Sequence, residues 1–145
     1  MDLHLTDKVI IVTGGAKGIG AGIVKVLAAE GAIPVVVGRN EEDNLKLIAE
    51  IQEGGGRGSQ IVAELTQPME CENVIRQIIQ KWGRIDALVN NAGVNDNVAL
   101  ESGDYQRFMD SLHKNVVHYY LMAHHALPAL KASQGCIVNI GSKVA

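Results

Sequence analysis

The feature that most constrains the fold is a glycine-rich segment, Thr13-Gly14-Gly15-Ala16-Lys17-Gly18-Ile19-Gly20. It stands directly between the continuous apolar run Val9–Val12 and a stretch whose apolar residues recur at helical spacing. Glycines permit a tight turn and let the backbone approach an anion, and the start of a helix offers free N–H groups to that anion. In this strand–turn–helix context the segment predicts a pyrophosphate-binding loop. An ordinary glycine-rich turn is the alternative.

Short apolar runs alternate with amphipathic stretches along the whole chain. The runs predict five strands, Lys8–Val12, Ile33–Val37, Gln60–Glu64, Ile85–Asn90 and Cys136–Ile140. The stretches between them predict helices, of which the longest covers residues 104–132. Runs that are apolar throughout are typical of parallel strands covered by helices on both faces. The pattern therefore predicts an α/β fold with a doubly wound, Rossmann-like parallel sheet.

Composition excludes several functional classes. The chain has 145 residues, of which 47% are hydrophobic and 20% charged, with a net charge of −3 that gives no broad basic surface for nucleic acid or an anionic membrane. No apolar run is long enough to cross a bilayer, and the first residues show no secretory signal. Cys71 and Cys136 lack zinc-type spacing. We expect a cytoplasmic protein with two buried free thiols that binds neither nucleic acid nor membrane.

Three further motifs follow the glycine-rich segment. Asn90-Asn91-Ala92-Gly93 ends the fourth predicted strand, Asn115 lies in the longest predicted helix, and Ile140-Gly141-Ser142 ends the fifth strand. Together with the T-G-x-x-x-G-x-G pattern at 13–20, and in this order, they resemble the motifs of the short-chain dehydrogenase/reductase family across essentially the whole chain. Within that family, three segments are similar to the L-fucose dehydrogenase-like branch: Ala32-Ile33-Pro34-Val35-Val36, Gly93-Val94-Asn95-Asp96 and His118-Tyr119-Tyr120.

The resemblance implies an NAD(P)-dependent enzyme that moves a hydride between a nicotinamide cofactor and an alcohol or carbonyl substrate. Ser142 would then hydrogen-bond the substrate oxygen, and Asn115 would hold a water of the proton relay. The family also uses a Tyr and a Lys four residues later as general acid/base and its electrostatic tuner. No tyrosine of this chain is followed by a lysine at that spacing. We therefore expect residues 1–145 to form the dinucleotide-binding, N-terminal part of a longer catalytic domain.

The resemblance also places cofactor contacts. They fall on Thr13, Gly14, Lys17, Gly18, Ile19, Gly20, Glu64, Leu65, Asn91, Ala92 and Gly93. Glu64 stands where the family usually has an Asp near the adenine, with a plain surface carboxylate as the alternative.

The choice of cofactor depends on the residues that follow the second strand. The acidic residue that would hold the ribose hydroxyls of NAD is missing from Val37-Gly38-Arg39-Asn40. Arg39 would instead suit a 2′-phosphate, and Lys17 adds a second cation nearby. We therefore expect NADP. The alternative is that both side chains are solvated and that NAD binds without the acidic contact.

Substrate and partners are less constrained. Asn95-Asp96-Asn97 would suit a polyhydroxylated substrate such as a sugar, or simply form a turn. Four histidines of the long helix lack metal-site spacing and a carboxylate partner, so we expect no metal and interpret them as surface or interface residues: His113, His118, His124 and His125. The resemblance implies a homodimer or homotetramer that pairs through helix 104–132. A non-catalytic dinucleotide-binding regulator and an inactive fragment remain alternatives.

Overall fold

The computed structural model describes residues 1–142, which form a five-stranded sheet in the order β3-β2-β1-β4-β5. The strands are β1 (Val9–Thr13), β2 (Ile33–Gly38), β3 (Ser59–Val62), β4 (Ala87–Asn90) and β5 (Cys136–Asn139). Every pairing is parallel. The chain begins at the central strand, builds outward to β3 and then returns to the other side of β1. This confirms the predicted doubly wound sheet.

Five α-helices connect these strands within residues 1–142. They are α1 (Gly18–Ala29), α2 (Glu41–Glu53), α3 (Pro68–Trp82), α4 (Tyr105–Leu112) and α5 (His118–Ser133). A π-helical turn, His113–Val117, joins α4 to α5. The prediction of one regular helix over 104–132 is therefore wrong at its middle. Such π turns insert one extra residue and often mark a functional position.

The apolar core consists of two layers, one on each face of the sheet. Ile11 of β1 belongs to the layer that contains Ile78 of α3 and Met122 of α5. Val12 belongs to the opposite layer, with Val24 of α1. Successive strand residues point to opposite faces, so an uninterrupted apolar strand feeds both layers. This explains why all five residues of β1 are buried.

The two cysteines differ in environment. Cys71 lies in the core, where its thiol contacts the Leu65 carbonyl at 3.5 Å and burial raises its pKa to about 11. Cys136 is exposed, so the prediction of a buried thiol is wrong at that position. The reason is that β5 pairs only with β4 within the described residues and is exposed along its length.

Candidate functional site

The glycine-rich turn follows β1 at the carboxyl end of the sheet. Gly14 has φ +61° and Gly18 has φ +54°, a backbone region that residues with side chains rarely adopt. A Cβ atom on Gly14 would lie 2.8 Å from the Cα of Ala92, so this glycine allows the turn to pack against the loop after β4. A Cβ on Gly18 would meet no atom of the described chain within 4 Å. The turn is therefore closed on one side and open on the other.

Helix α1 begins at this open side. Lys17 is its N-cap residue and makes no side-chain capping bond within the described chain. The N–H groups of the first turn, from Gly18, Ile19 and Gly20, have no acceptor within the helix and lie at the positive end of its dipole. An anion placed there would receive both hydrogen bonds and favourable electrostatics. These residues therefore form the part of the chain best suited to a pyrophosphate.

Asn91 joins the loop after β4 to the glycine-rich turn. Its side-chain amide donates to the carbonyls of Thr13 and Gly14, both at 3.1 Å. In return, the Thr13 hydroxyl accepts from the backbone N–H groups of Asn91 and Ala92 at 3.0 and 3.1 Å. Thr13 is fully buried. These two residues fix the geometry of the turn, and their contact with a cofactor stays a prediction.

Asn90 ties the neighbouring strands together. Its amide donates to Asn139 Oδ1 of β5 at 3.0 Å and to the Tyr119 carbonyl at 3.3 Å. The Tyr119 hydroxyl donates to the carbonyl of Ile140 at 2.9 Å, which holds the chain just beyond β5 against α5. Ser142 follows two residues later, at the same carboxyl edge of the sheet. The bonds of Asn90 therefore connect β4 to β5 and to α5.

Asn115 lies inside the π-helical turn and reaches the loop that carries Gly93. Its Oδ1 accepts from the Val94 N–H at 2.8 Å, and its Nδ2 donates to the Ser111 carbonyl at 3.0 Å. A Cβ atom on Gly93 would stand 2.8 Å from the same Oδ1, so a glycine is needed for this close approach. Asn115 is only partly buried. In this structure it organises the Asn-Asn-Ala-Gly loop.

A cleft of about 280 Å³ opens between the ends of β1, β2 and β4. The predicted cofactor residues on its wall are Gly14, Arg39, Glu64, Leu65, Ala92 and Gly93. Six predicted residues are not on the wall: Thr13 and Asn91 lie beneath the turn, and Lys17, Gly18, Ile19 and Gly20 lie around the start of α1. Glu64 was predicted to end the third strand, but β3 ends at Val62 and Glu64 lies in the following loop.

Arg39 and Lys17, the two cations predicted for a 2′-phosphate, each have a carboxylate neighbour. Arg39 Nη1 lies 3.7 Å from Glu64 Oε2, and Lys17 Nζ lies 2.7 Å from Asp43 Oδ2. Partial burial tends to raise the pKa of Glu64, but hydrogen bonds from Thr66 and the charge of Arg39 outweigh it and lower the pKa. Glu64 therefore carries its negative charge at neutral pH, and its contact with the adenine half of a cofactor stays a prediction.

Sequence reasoning missed Asp43. The signal was present, because Asn40 accepts from the Asp43 N–H at 3.0 Å in the capping pattern that starts α2. That pattern puts Asp43 in the first turn of α2, shortly after Arg39. Its pairing with Lys17 of a different helix could not be obtained from spacing alone.

His118 contradicts the expectation of four exposed or interfacial histidines. It is only 2% exposed and lines the inner wall of the cleft. Its Nε2 must donate to the Lys114 carbonyl, at 2.8 Å, because a carbonyl can only accept. Burial lowers its pKa, so the ring is neutral at physiological pH. His113 and His124 are exposed, as predicted.

No cluster of three or more metal-ligating side chains occurs within residues 1–142, and no helix in that range has the length and apolarity needed to cross a bilayer. The glycine turn, the Asn-Asn-Ala-Gly loop, Asn115 and the cleft all lie at the carboxyl edge of one parallel sheet. A family model described as short chain dehydrogenase matches residues 8–145. The chain belongs to the short-chain dehydrogenase family.

Individual members of this family cover almost the whole chain. L-fucose dehydrogenase from Bos taurus is 32% identical over 146 residues, which are 99% of this chain and 52% of that protein. The NADH-dependent reductase A1-R′, solved in complex with NAD, superposes with a TM-score of 0.92 at 28% identity, over 99% of this chain and 62% of that one. A metagenomic short-chain oxidoreductase in complex with NADP gives 0.89 at 31% identity, over 95% and 63%.

The chain matches only part of the length of each of these relatives. The chain spans between 50% and 59% of the curated relatives it matches. Activities and substrates named for those short-chain dehydrogenases belong to proteins of nearly twice this length.

Proposed function

We propose that this chain is the dinucleotide-binding part of an NAD(P)-dependent oxidoreductase that interconverts an alcohol and a carbonyl compound. The observation that carries the proposal is the start of α1, which has no side-chain cap and stands beside the open space at Gly18. The cofactor's pyrophosphate would bind there, and its adenosine half would enter the cleft between Arg39, Glu64 and Gly93. When bound, the nicotinamide supplies hydride transfer.

The hydrogen bonds around the glycine-rich turn support this proposal. Thr13 and Asn91 hold the turn rigid by four hydrogen bonds, so the helix start is preorganised for an anion. NADP remains the first expectation because Arg39 and Lys17 lie at the end of β2 and the start of α1. NAD is the alternative, and the solved complexes of similar proteins include both.

In the catalytic step, Ser142 would donate a hydrogen bond to the substrate oxygen. Asn115 would support a water in the proton relay, with its amide held by the π-helical turn. The general acid/base is expected to be a tyrosine with a lysine four residues later, as the family resemblance implies. These roles are proposals for the whole protein.

We propose an alcohol, ketone or sugar as substrate, with L-fucose as the first sugar to test. Support comes from the L-fucose dehydrogenase of Bos taurus and from the polar loop Asn95-Asp96-Asn97 near the cleft. Self-association through α4 and α5 is part of the same proposal. Five large apolar residues of α4, α5 and the π-helical turn between them are more than 40% exposed: Tyr105, Phe108, Val116, Tyr120 and Leu127.

Binding of the cofactor is the first test of this function. In the full-length protein, Gly18→Asp should abolish NADPH and NADH binding, measured by nucleotide fluorescence, because it places a negative charge at the proposed pyrophosphate site. Gly55→Asp is the matched control, since Gly55 also has positive φ and open surroundings but lies beyond α2. Equal binding by the two variants would contradict the proposal. Binding without turnover of any alcohol or sugar would favour the regulator.

A further inference from the structure

Two ion pairs of similar length connect α1 to α2, but only one of them lies at the proposed cofactor site. Lys17 meets Asp43 with 2.7 Å between Nζ and Oδ2, next to the glycine-rich turn. Lys25 meets Glu50 at the same distance, two helical turns further along α1. Lys17 is one of the two cations that would attract a 2′-phosphate. Its charge is already matched by a carboxylate of the chain.

The position of Asp43 is well defined. Its backbone N–H donates to Asn40 in the first turn of α2, and its side chain is only 28% exposed, against 76% for Lys17. The same first turn carries Glu41 and Glu42, so the surroundings of Lys17 are acidic. The carboxylate is therefore the more fixed partner, and the largely exposed lysine is paired with it rather than free to meet a nearby phosphate.

This arrangement affects the two forms of the cofactor differently. The 2′-phosphate of NADP is close to doubly negative, so it gains from a free lysine and is repelled by the Asp43 carboxylate. The 2′-hydroxyl of NAD is neutral and has little interaction with either charge. Arg39 is offset in the same way by Glu64, but Glu64 also accepts from Thr66 and lines the cleft, so its removal would disturb both cofactors.

We propose that Asp43 is a cofactor-selectivity residue, which weakens the binding of NADP relative to NAD by neutralising Lys17. The inference rests on the proposed function, because it needs a dinucleotide in the cleft. Asp43 acts through Lys17 and is a positioning residue rather than a contact to the cofactor. Selectivity is thus set by a pair of charges on two helices, and Arg39 alone does not decide it.

The test measures the dissociation constants of NADPH and NADH for full-length protein by fluorescence titration at low salt. Asp43→Asn should tighten NADPH binding about threefold to fivefold and change NADH binding less than about twofold, as expected for a partly exposed charge pair. The gain should shrink at high salt because exposed charges are screened. Glu50→Gln is the matched control, since it makes the same charge change in the Lys25 pair. It should leave the ratio of the two constants unchanged.

A second variant tests the route through the lysine. In a Lys17→Met background, Asp43→Asn should no longer improve NADPH binding. An unchanged ratio in Asp43→Asn, an equal change in Glu50→Gln, or a gain that persists without Lys17 would each overturn the inference. Wild-type protein that binds neither nucleotide would contradict the proposed function itself. Wild-type protein that binds both, with no response to Asp43→Asn, would contradict only this inference.

Discussion

The two ends of the sheet use polar groups for opposite purposes. At the amino end, Asp86 accepts from the Val9 N–H at 2.9 Å and from Arg84 Nε and Nη2 at 2.8 and 2.6 Å. Lys8 adds a further positive charge at 3.8 Å. At the carboxyl end, hydrogen bonds fix the loops but leave space beside Gly18. One end is closed by its own side chains, and the other is held rigid yet open.

The difference shows how a single sheet separates stability from binding. Parallel strands bring all of their carboxyl ends to one edge, where loops of variable length create a crevice. The same geometry leaves the opposite edge to short connections that can be sealed by local ion pairs. Substitutions at the amino end should therefore change only the free energy of unfolding, whereas those at the carboxyl end should also change binding or turnover.

The largest expected effect is on turnover at the carboxyl end. Ser142→Ala in the full-length protein should lower kcat by about 100-fold to 1,000-fold, since a donor to the reacting oxygen is worth roughly 2.7–4 kcal/mol in the transition state. Affinity for NADP should hardly change, because that binding depends on the turn at Gly14 and Gly18. Stopped-flow turnover with L-fucose or a secondary alcohol and fluorescence titration separate the two effects. Normal turnover in Ser142→Ala would remove the catalytic assignment.

The second prediction compares two glycines of α1. A Cβ atom on Gly20 would collide with the Gly14 carbonyl and lie 2.6 Å from Asn91 Nδ2. Gly20→Ala should therefore lower the free energy of unfolding by about 1–3 kcal/mol and weaken cofactor binding. Gly22 is exposed and has no atom of residues 1–142 within 4 Å of such a Cβ. Gly22→Ala should therefore stabilise by about 0.5–1 kcal/mol. Urea unfolding checks both, and equal effects would show that the turn tolerates a side chain.

The third prediction concerns the amino end. Burial tends to raise the pKa of Asp86, but the bonds from Arg84 and Val9 and the charge of Lys8 outweigh it and lower the pKa. The resulting stabilisation is complete above the unfolded pKa, near 4. It is lost as the pH falls through the lower folded value. Asp86→Asn should lower the free energy of unfolding by about 1–3 kcal/mol at pH 7. It should also reduce the loss of stability as the pH falls into the acid range.

The exposed pair between Asp7 and Arg57 provides the control for Asp86. Asp7→Asn should change the free energy of unfolding by less than about 1 kcal/mol, because exposed ion pairs contribute little. Chemical denaturation between pH 3 and pH 7 measures both variants. If the free energy of unfolding of Asp86→Asn still falls as steeply with decreasing pH, the pH dependence comes from other carboxylates.

The fold could be predicted from sequence because its determinants are local. Uninterrupted apolar runs such as Val9–Val12 identified buried parallel strands, and the position of the glycines identified the turn. Interactions between distant residues could not be predicted in the same way. Asn115 in the π-helical turn accepts from the Val94 N–H of a distant loop, and the burial of His118 depends on how α5 packs. Neither interaction can be predicted from the spacing of residues along the chain.

The same limit applies to the charges of the site. Residue type and position predict Arg39 and Lys17 as partners of a 2′-phosphate, and this role stays a prediction. Their carboxylate neighbours come from other elements, namely Glu64 after β3 and Asp43 in α2. Electrostatic preference depends on the sum of these charges, which only the three-dimensional arrangement gives.

The smallest predicted effect concerns the junction between α5 and the end of β5, where one hydrogen bond should affect both stability and turnover. The Tyr119 hydroxyl donates to the Ile140 carbonyl at 2.9 Å, two residues before Ser142. Partial burial raises the pKa of Tyr119, so the hydroxyl keeps its proton at neutral pH and can donate. Tyr119→Phe removes this bond and should lower the free energy of unfolding, measured with urea, by about 0.5–1.5 kcal/mol.

Tyr119→Phe should also lower kcat modestly, because the chain that carries Ser142 loses one of its anchors, while cofactor affinity stays the same. The adjacent Tyr120 is the matched control, since its side chain is 68% exposed and its ring stacks on His124. Tyr120→Phe should leave unfolding and turnover within error of the parent. A Tyr119→Phe variant that loses stability but keeps full kcat would show that Ser142 is positioned by other contacts. The bond between Tyr119 and Ile140 would then contribute to stability alone, as the ion pairs of the amino end do.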